Sequence, residues 1–281
     1  MRAALVTGAS TGIGYATAVE LLRAGAVVYG GVRKESDAAR LAELGERARP
    51  LMLDVTDAVQ LASAAQSIRD GGVPLVAVVC NAGIALGGPL EFLPLDRLRH
   101  QLEVNLIGAL ATAQAALPML RETKGRLLFV GSISGRLAPP FIGPYAASKA
   151  ALANLTDVLR CELDASHSGV SVSLFEFGSI KTPIWSKGTS SLQRLQEQSG
   201  PQERTYYGFL PGILRSNLAQ EGQRGTDAAV VGRMLARAAL GPRAPRERYV
   251  TAGGAKAAAF IAAILPAGAR GRLLRRAMHL P

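Results

Sequence analysis

At positions 145 to 149 the chain reads YAASK, opening the run YAASKAALANLTDVLRCEL. A spacing of four places Tyr145 and Lys149 on one face of a helix, one turn apart. A phenol titrates near about 10, which makes it a poor proton donor or acceptor at neutral pH. A neighbouring ammonium favours the phenolate, so the pair is suited to moving a proton on and off an oxygen. An exposed Tyr and Lys at a common helical spacing would read the same way, so the pair needs company. Company comes at residues 7 to 14, TGASTGIG, directly after the apolar run AALV. Glycines there let the backbone turn sharply and approach a ligand, and the N–H groups opening the next helix face an anion. A phosphate-bearing cofactor suits that turn, although an ordinary Gly-rich β–α turn shares the pattern.

The elements that must position these residues follow from the apolar pattern. Strand-like runs recur at AALV, AVVYGGV, RPLML, LVAVVC, GRLLFV and VSVSLFEF, with helical stretches between most of them. That alternation predicts an α/β fold, a Rossmann-like doubly wound parallel sheet with right-handed crossovers. The length of 281 residues suits a single domain with additions, and a hydrophobic share of 48% with 31 glycines suits a sheet buried on both faces. One addition is the polar stretch 183–226, read as a lid over the substrate, with GPQERTYYGFLPGIL in its middle. The other is the C-terminal extension 256–281, which mixes apolar residues with Arg270, Arg272, Arg275 and Arg276. It reads as an amphipathic helix pair that packs on the domain, lids a pocket or touches a membrane surface.

The bulk properties narrow the classes. No apolar run approaches 18 residues, which argues against a spanning helix, and the start leaves no room for a signal peptide, so a soluble, cytoplasmic protein is expected. Cys80 and Cys161 lack metal or redox spacing and read as small core residues. His100, His167 and His279 are scattered and read as surface or helix-end residues, so no metal site is expected. The net charge of +11 allows an acidic partner, but the basic residues are dispersed without a stacking-aromatic motif, which argues against nucleic acid.

With NAG at 81 to 83, Asn105 in VNLIGAL, Ser132 in VGSISG and YAASK following TGASTGIG in order, the chain resembles the short-chain dehydrogenase/reductases from its first strand to about Pro183. The resemblance implies that Tyr145 is the general acid or base and that Lys149 holds the nicotinamide ribose and lowers the tyrosine pKa. It implies that Ser132 hydrogen-bonds the substrate oxygen and that Asn105 anchors a water leading from Lys149 to solvent. The cofactor would lie along Gly8, Ser10, Thr11, Gly12, Ile13 and Gly14, with Asp54 and Val55 flanking the adenine. Asn81, Ala82 and Gly83 would line it further on, with Gly178, Ile180 and Thr182 beside the nicotinamide. Val32 stands where an acidic residue would favour NAD, and Arg33 and Lys34 follow it, so NADP is expected, with NAD as the alternative. The family usually has Pro-Gly where this chain has Phe177-Gly178, which puts the local loop geometry in question.

The stretch EFGSIKTPIWSKG and the basic C-terminal extension resemble the branch that includes 17β-hydroxysteroid and retinol dehydrogenases. Phe141, Trp185, Tyr206, Tyr207, Phe209 and Leu210 suit an apolar pocket for a large ring or chain, or the packing of a loop. The expected reaction interconverts a primary or secondary alcohol and its aldehyde or ketone on a lipophilic substrate. The alternatives are a reductase of carrier-bound 3-oxoacyl groups and a non-catalytic cofactor-binding sensor or scaffold. A homodimer or homotetramer is the family expectation, and the C-terminal segment is a candidate for peripheral membrane contact.

Overall fold

A computed structural model describes residues 1–184, 200–213 and 225–281. Each apolar run of the sequence becomes a strand: β1 (Ala3–Thr7), β2 (Val27–Val32), β3 (Ala48–Met52), β4 (Leu75–Cys80), β5 (Arg126–Ser132) and β6 (Ser171–Phe177). A short pair, β7 (Ile180–Lys181) and β8 (Thr226–Asp227), and a further strand, β9 (Arg248–Thr251), complete the set. The main sheet has the order β3-β2-β1-β4-β5-β6-β9 and is parallel throughout. β9 is not among the strands read from the sequence; its four residues, RYVT, are too short to show a period.

Alternation along each strand sends side chains to two separate cores. On one face Ala4, Val6, Val79, Leu128 and Phe175 pack with α1 (Gly12–Arg23), α2 (Glu35–Ala42) and α8 (Ala228–Leu240). On the other, Leu5, Val78, Leu127, Phe129 and Leu174 pack with α3 (Ala58–Asp70), α5 (Gly108–Thr123) and α6 (Gly143–Ala165). With both faces covered, the strands are apolar throughout, as a doubly wound sheet requires. The order reverses between β1 and β4, and there the chain leaves the carboxyl ends of neighbouring strands in opposite directions, opening a crevice.

Three expectations are corrected. Cys161 is exposed on α6, while Cys80 is buried as expected, its thiol pushed up by burial. The stretch Leu95–Thr123, which runs from α4 (Leu95–Leu102) through a π-type turn (Glu103–Ile107) into α5, is long and apolar enough by length and composition to cross a membrane. Its polar residues break any unbroken apolar run, and Ala109, Ala113, Ala116 and Leu120 are spent on the core under the sheet. Departure Phe177 for proline does not disturb the loop: Phe177 is the last ladder residue of β6, opposite Ser132 and Thr251, and its ring is buried.

The stretch 183–226, expected to form a lid, begins just after β7 and ends in β8, which pairs with β7 in parallel. Thr226 donates its N–H to the Ser179 carbonyl at 2.9 Å and accepts from the Gly253 N–H at 2.9 Å, tying this clasp to the end of β9. Residues 185–199 and 214–224 of the lid, Trp185 among them, lie outside the described residues. Between them stands α7 (Pro201–Tyr207). The C-terminal extension forms α9 (Ala255–Ile264) and α10 (Ala267–Ala277).

Candidate active site

A cleft of about 760 Å³ opens at the switch point, above the carboxyl ends of the strands. One end is built by the glycine turn. Gly8 and Gly12 hold φ of +65° and +57°, the left-handed region that glycine enters without a Cβ penalty. Gly14 serves another purpose, since a Cβ there would lie 2.2 Å from the Gly8 carbonyl oxygen, so it lets α1 seat against β1 and does not line the cleft. The turn is strapped to β4: Asn81 Nδ2 donates to the Thr7 and Gly8 carbonyls at 2.9 and 3.2 Å, and the N–H groups of Asn81 and Ala82 donate to Thr7 Oγ1 at 3.0 Å. A second strap comes from Arg40 on α2, which donates to the Ser10 carbonyl and lies 5.5 Å from the centre of the Tyr15 ring.

Beyond the turn, Val32, Arg33, Lys34, Ser36 and Asp37 line the cleft where β2 passes into α2. Arg33 Nη1 is 3.6 Å from Asp54 Oδ2 and its side chain is 62% exposed. Burial pushes the Asp54 carboxyl up, but hydrogen bonds from the Thr56 N–H and hydroxyl, with the Arg33 guanidinium, outweigh it and hold the group below its ordinary value. Asp54, Val55, Ala82 and Gly83 complete this half, with Ser10, Thr11 and Ile13 facing them.

The other end carries the titratable groups. Ser132 closes β5 and Tyr145 and Lys149 open α6, so strand end and helix start bring them to one wall of the cleft. Tyr145 shares a hydrogen bond with Ser132, whose Oγ also accepts from the Ser134 N–H at 3.2 Å. Lys149 Nζ donates to the Val130 carbonyl at 2.8 Å and lies 5.8 Å from the centre of the Tyr145 ring. Burial raises the Tyr145 phenol above its ordinary value against the Ser132 hydrogen bond, and burial pulls the Lys149 ammonium down to about 8. In this geometry the ammonium points to the strand carbonyl, and desolvation rather than Lys149 sets the direction of the tyrosine shift.

Asn105 stands behind this wall, next to Gly83 and Ile84. It sits buried in the π-type turn and does not line the cleft. Its Nδ2 donates to the Ile84 carbonyl and to Ser148 Oγ, both at 3.0 Å, and its Oδ1 accepts from the Ile84 N–H at 2.8 Å. Ser148 in turn donates to the Tyr145 carbonyl at 2.7 Å, so Asn105 positions the first turn of α6 against the Ile84 segment. Gly178, Ile180 and Thr182 line the cleft as expected, together with Ile84, Ala85, Leu86, Pro183 and Ile184, which the sequence reading did not single out.

Among the described residues, Phe141, Tyr206, Tyr207, Phe209 and Leu210 do not line the cleft. Tyr207 and Phe209 meet Phe141 edge-on with ring centres 6.0 and 6.4 Å apart, and Phe92 meets Tyr207 at 5.9 Å. Tyr207 also hydrogen-bonds Glu91 at 3.1 Å, while Tyr206 is exposed and Leu210 buried. The cluster borders the site through Phe141, whose carbonyl accepts from the Gly88 N–H at 2.8 Å just beyond Leu86. It is packing beside the pocket rather than its lining.

The donor set suits a dinucleotide: a glycine turn lines one end of the cleft, packed so closely on β4 that a Cβ at Gly8 would lie 2.9 Å from Ala82 Cα, and the serine, tyrosine and lysine stand at the far end. Among the described residues no group of His, Cys, Asp or Glu could hold a metal ion. Sheet order, turn and polar wall together define a dinucleotide-binding α/β oxidoreductase.

The chain belongs to the short chain dehydrogenase family, whose model matches residues 2–193. It is similar to the NADPH-dependent 3-dehydrocapnine reductase of Ornithobacterium rhinotracheale, 35% identical over 261 residues, 90% of this chain and 88% of that one. It is also similar to 17-beta-hydroxysteroid dehydrogenase type 1 of Homo sapiens, 35% identical over 206 residues, 69% of this chain and 62% of that one. A short-chain dehydrogenase from Streptomyces avermitilis shares the fold, with a TM-score of 0.75 at 24% identity over 97% of this chain and 94% of that chain. The chain is an NAD(P)-dependent oxidoreductase that interconverts alcohol and carbonyl groups.

Proposed function

We propose that the protein is an NADP-dependent oxidoreductase of lipophilic alcohols and their ketones or aldehydes, with Tyr145 as the general acid and base. The hydrogen bond between Tyr145 and Ser132 on the cleft wall carries this reading, because it brings a proton donor and an oxygen-holding hydroxyl to one point. The nicotinamide, when bound, supplies or accepts the hydride. In reduction the Tyr145 hydroxyl gives its proton to the substrate oxygen that Ser132 holds, and in oxidation it takes the proton back. Lys149 holds the ribose and keeps a positive charge beside the phenol.

NADP is favoured by the buried Val32 and by the cations Arg33 and Lys34 at the cleft wall, which suit a 2′-phosphate. The relative named as NADPH-dependent agrees with it. A lipophilic substrate is favoured by Ile84, Ala85, Leu86, Pro183 and Ile184 beside the polar wall, and by the similarity to a hydroxysteroid dehydrogenase. The test is a turnover screen of steroids, retinoids, fatty aldehydes and carrier-bound 3-oxoacyl thioesters with NADPH and NADH. Turnover of a steroid, retinoid or fatty aldehyde with NADPH is expected; turnover of the carrier thioester alone, or of none, overturns the reading.

A further inference from the structure

The C-terminal helices keep their largest apolar side chains out of the core. On α9 Phe260 is 67% exposed and Ile264, one turn later, 59%, and Lys256, Ala257 and Ala263 share that outer face. α10 buries no residue and exposes Arg272, Leu273, Arg275 and Arg276. From Arg248 to Pro281 there is no acidic side chain. Yet the pair is held in place: Ala255 is buried, α9 packs on β9 and on the Ile133–Gly135 turn, and Arg270 Nη1 donates to the Ala262 carbonyl at 3.2 Å. The Ile133–Gly135 turn follows Ser132, so this surface adjoins the polar end of the cleft.

We propose that α9 and α10 form a docking surface for an anionic lipid bilayer, with Phe260 and Ile264 entering the acyl boundary and the arginines meeting the headgroups. Helical spacing of exposed apolar residues beside unopposed cations gives an interface both apolar burial and attraction to negative charge. A second copy of the chain is a poorer occupant, because a two-fold contact through this face would meet the arginines with a segment that has no acidic side chain to pair them. Nucleic acid would leave Phe260 and Ile264 uncovered. The inference stands whatever substrate the cleft takes.

The test is co-sedimentation of the full chain with vesicles of phosphatidylglycerol and phosphatidylcholine, or of phosphatidylcholine alone, at low and high salt. Most of the protein is expected to pellet with the anionic vesicles at low salt, and little with neutral vesicles or at high salt. The double variant Phe260→Ser, Ile264→Ser, whose changes are at exposed positions, should lose at least tenfold in vesicle affinity while its melting temperature and cofactor binding stay unchanged. No pelleting of the parent at low salt overturns the proposal. So does pelleting that the double variant retains, which would assign binding to diffuse charge alone. A parent dimer that the double variant dissociates, without vesicle binding, would give the face to self-association and overturn it equally.

Discussion

Lys149 turns its ammonium to the Val130 carbonyl, 2.8 Å away, rather than to the phenol oxygen of Tyr145, its neighbour one helical turn earlier. Both groups are buried on the same wall, and burial moves them in opposite directions: the phenol up, the ammonium down to about 8. Both shifts are towards the neutral form, though at pH 7 Lys149 is still mostly the cation. A cation kept in so dry a place is a cost to the fold that only a function repays.

That cost is measurable. Between about pH 8 and the ordinary lysine value the unfolded chain holds the Lys149 proton more tightly than the folded one, so this group's contribution to stability rises with pH across that window. Below it the full penalty stands, on the order of 3 kcal/mol. Lys149→Met should therefore melt higher than the parent at pH 7, with the gap closing towards pH 10. Thermal melts of both proteins across that range decide it; a gap that is constant or widens with pH refutes the burial account.

Tyr145→Phe keeps the ring and removes the titrating hydroxyl. Cofactor affinity, read by fluorescence, should change less than twofold, while turnover falls by about a hundred- to ten-thousand-fold, the usual worth of a positioned acid or base. The raised phenol pKa also fixes the parent's pH profile. Carbonyl reduction, which needs the protonated phenol, should be flat through neutral pH, and alcohol oxidation, which needs the phenolate, should climb towards alkaline pH. A mutant within tenfold of the parent removes Tyr145 from the proton path.

Glu176, buried on β6, takes both Nε and Nη2 of Arg136 at 2.8 and 2.6 Å and lies 3.5 Å from Arg248. Arg248 continues the chain of charges to Asp157 on α6, and Arg136 directly follows the turn after Ser132. Glu176→Ala leaves two cations near each other without their shared carboxylate, an expected loss of about 3–5 kcal/mol. Because the network braces the Ser132 turn against α6, kcat should fall more than cofactor affinity does. Calorimetry and steady-state kinetics test both parts, and a variant that melts with the parent would show that the network is not structural.

How much of this was legible in the chain depended on whether the information was local. The six strands and the glycine turn were readable because apolar runs and Gly8, Gly12 and Gly14 report their own backbone requirements. Tyr145 and Lys149 were readable because one helix carries both. Asn105 was found as a residue, but its partners were not, since Ile84 and Ser148 are 21 and 43 positions away and no periodicity links them. Arg40 and Glu176 were not found at all: a lone arginine on a helix and a glutamate in an apolar strand acquire meaning only from contacts 30 and 40 residues distant. For Phe141, Tyr207 and Phe209 the sequence left pocket wall and loop packing open, and the structure gives packing, because composition does not distinguish a pocket wall from the packing beside it.

The two arginines at the cofactor end should separate cleanly. Arg33 lines the cleft, and its link to Asp54 is long and mostly exposed, so it is worth little to the fold and leaves the guanidinium free to meet a 2′-phosphate. Solvent screening puts its effect at the weak end for a charge-assisted hydrogen bond, and Arg33→Ala should cut the NADPH-over-NADH ratio of kcat/KM about tenfold, or about 1.4 kcal/mol. Arg40 does not line the cleft; it grips the Ser10 carbonyl from behind and rests on Tyr15. Removing it loosens a turn that both cofactors share, so Arg40→Ala should weaken NADPH and NADH by the same factor and leave the ratio unchanged. Kinetics of the two variants with both cofactors give the answer, and a ratio that moves with Arg40 but not with Arg33 would place the 2′-phosphate contact on α2 instead of at the end of β2.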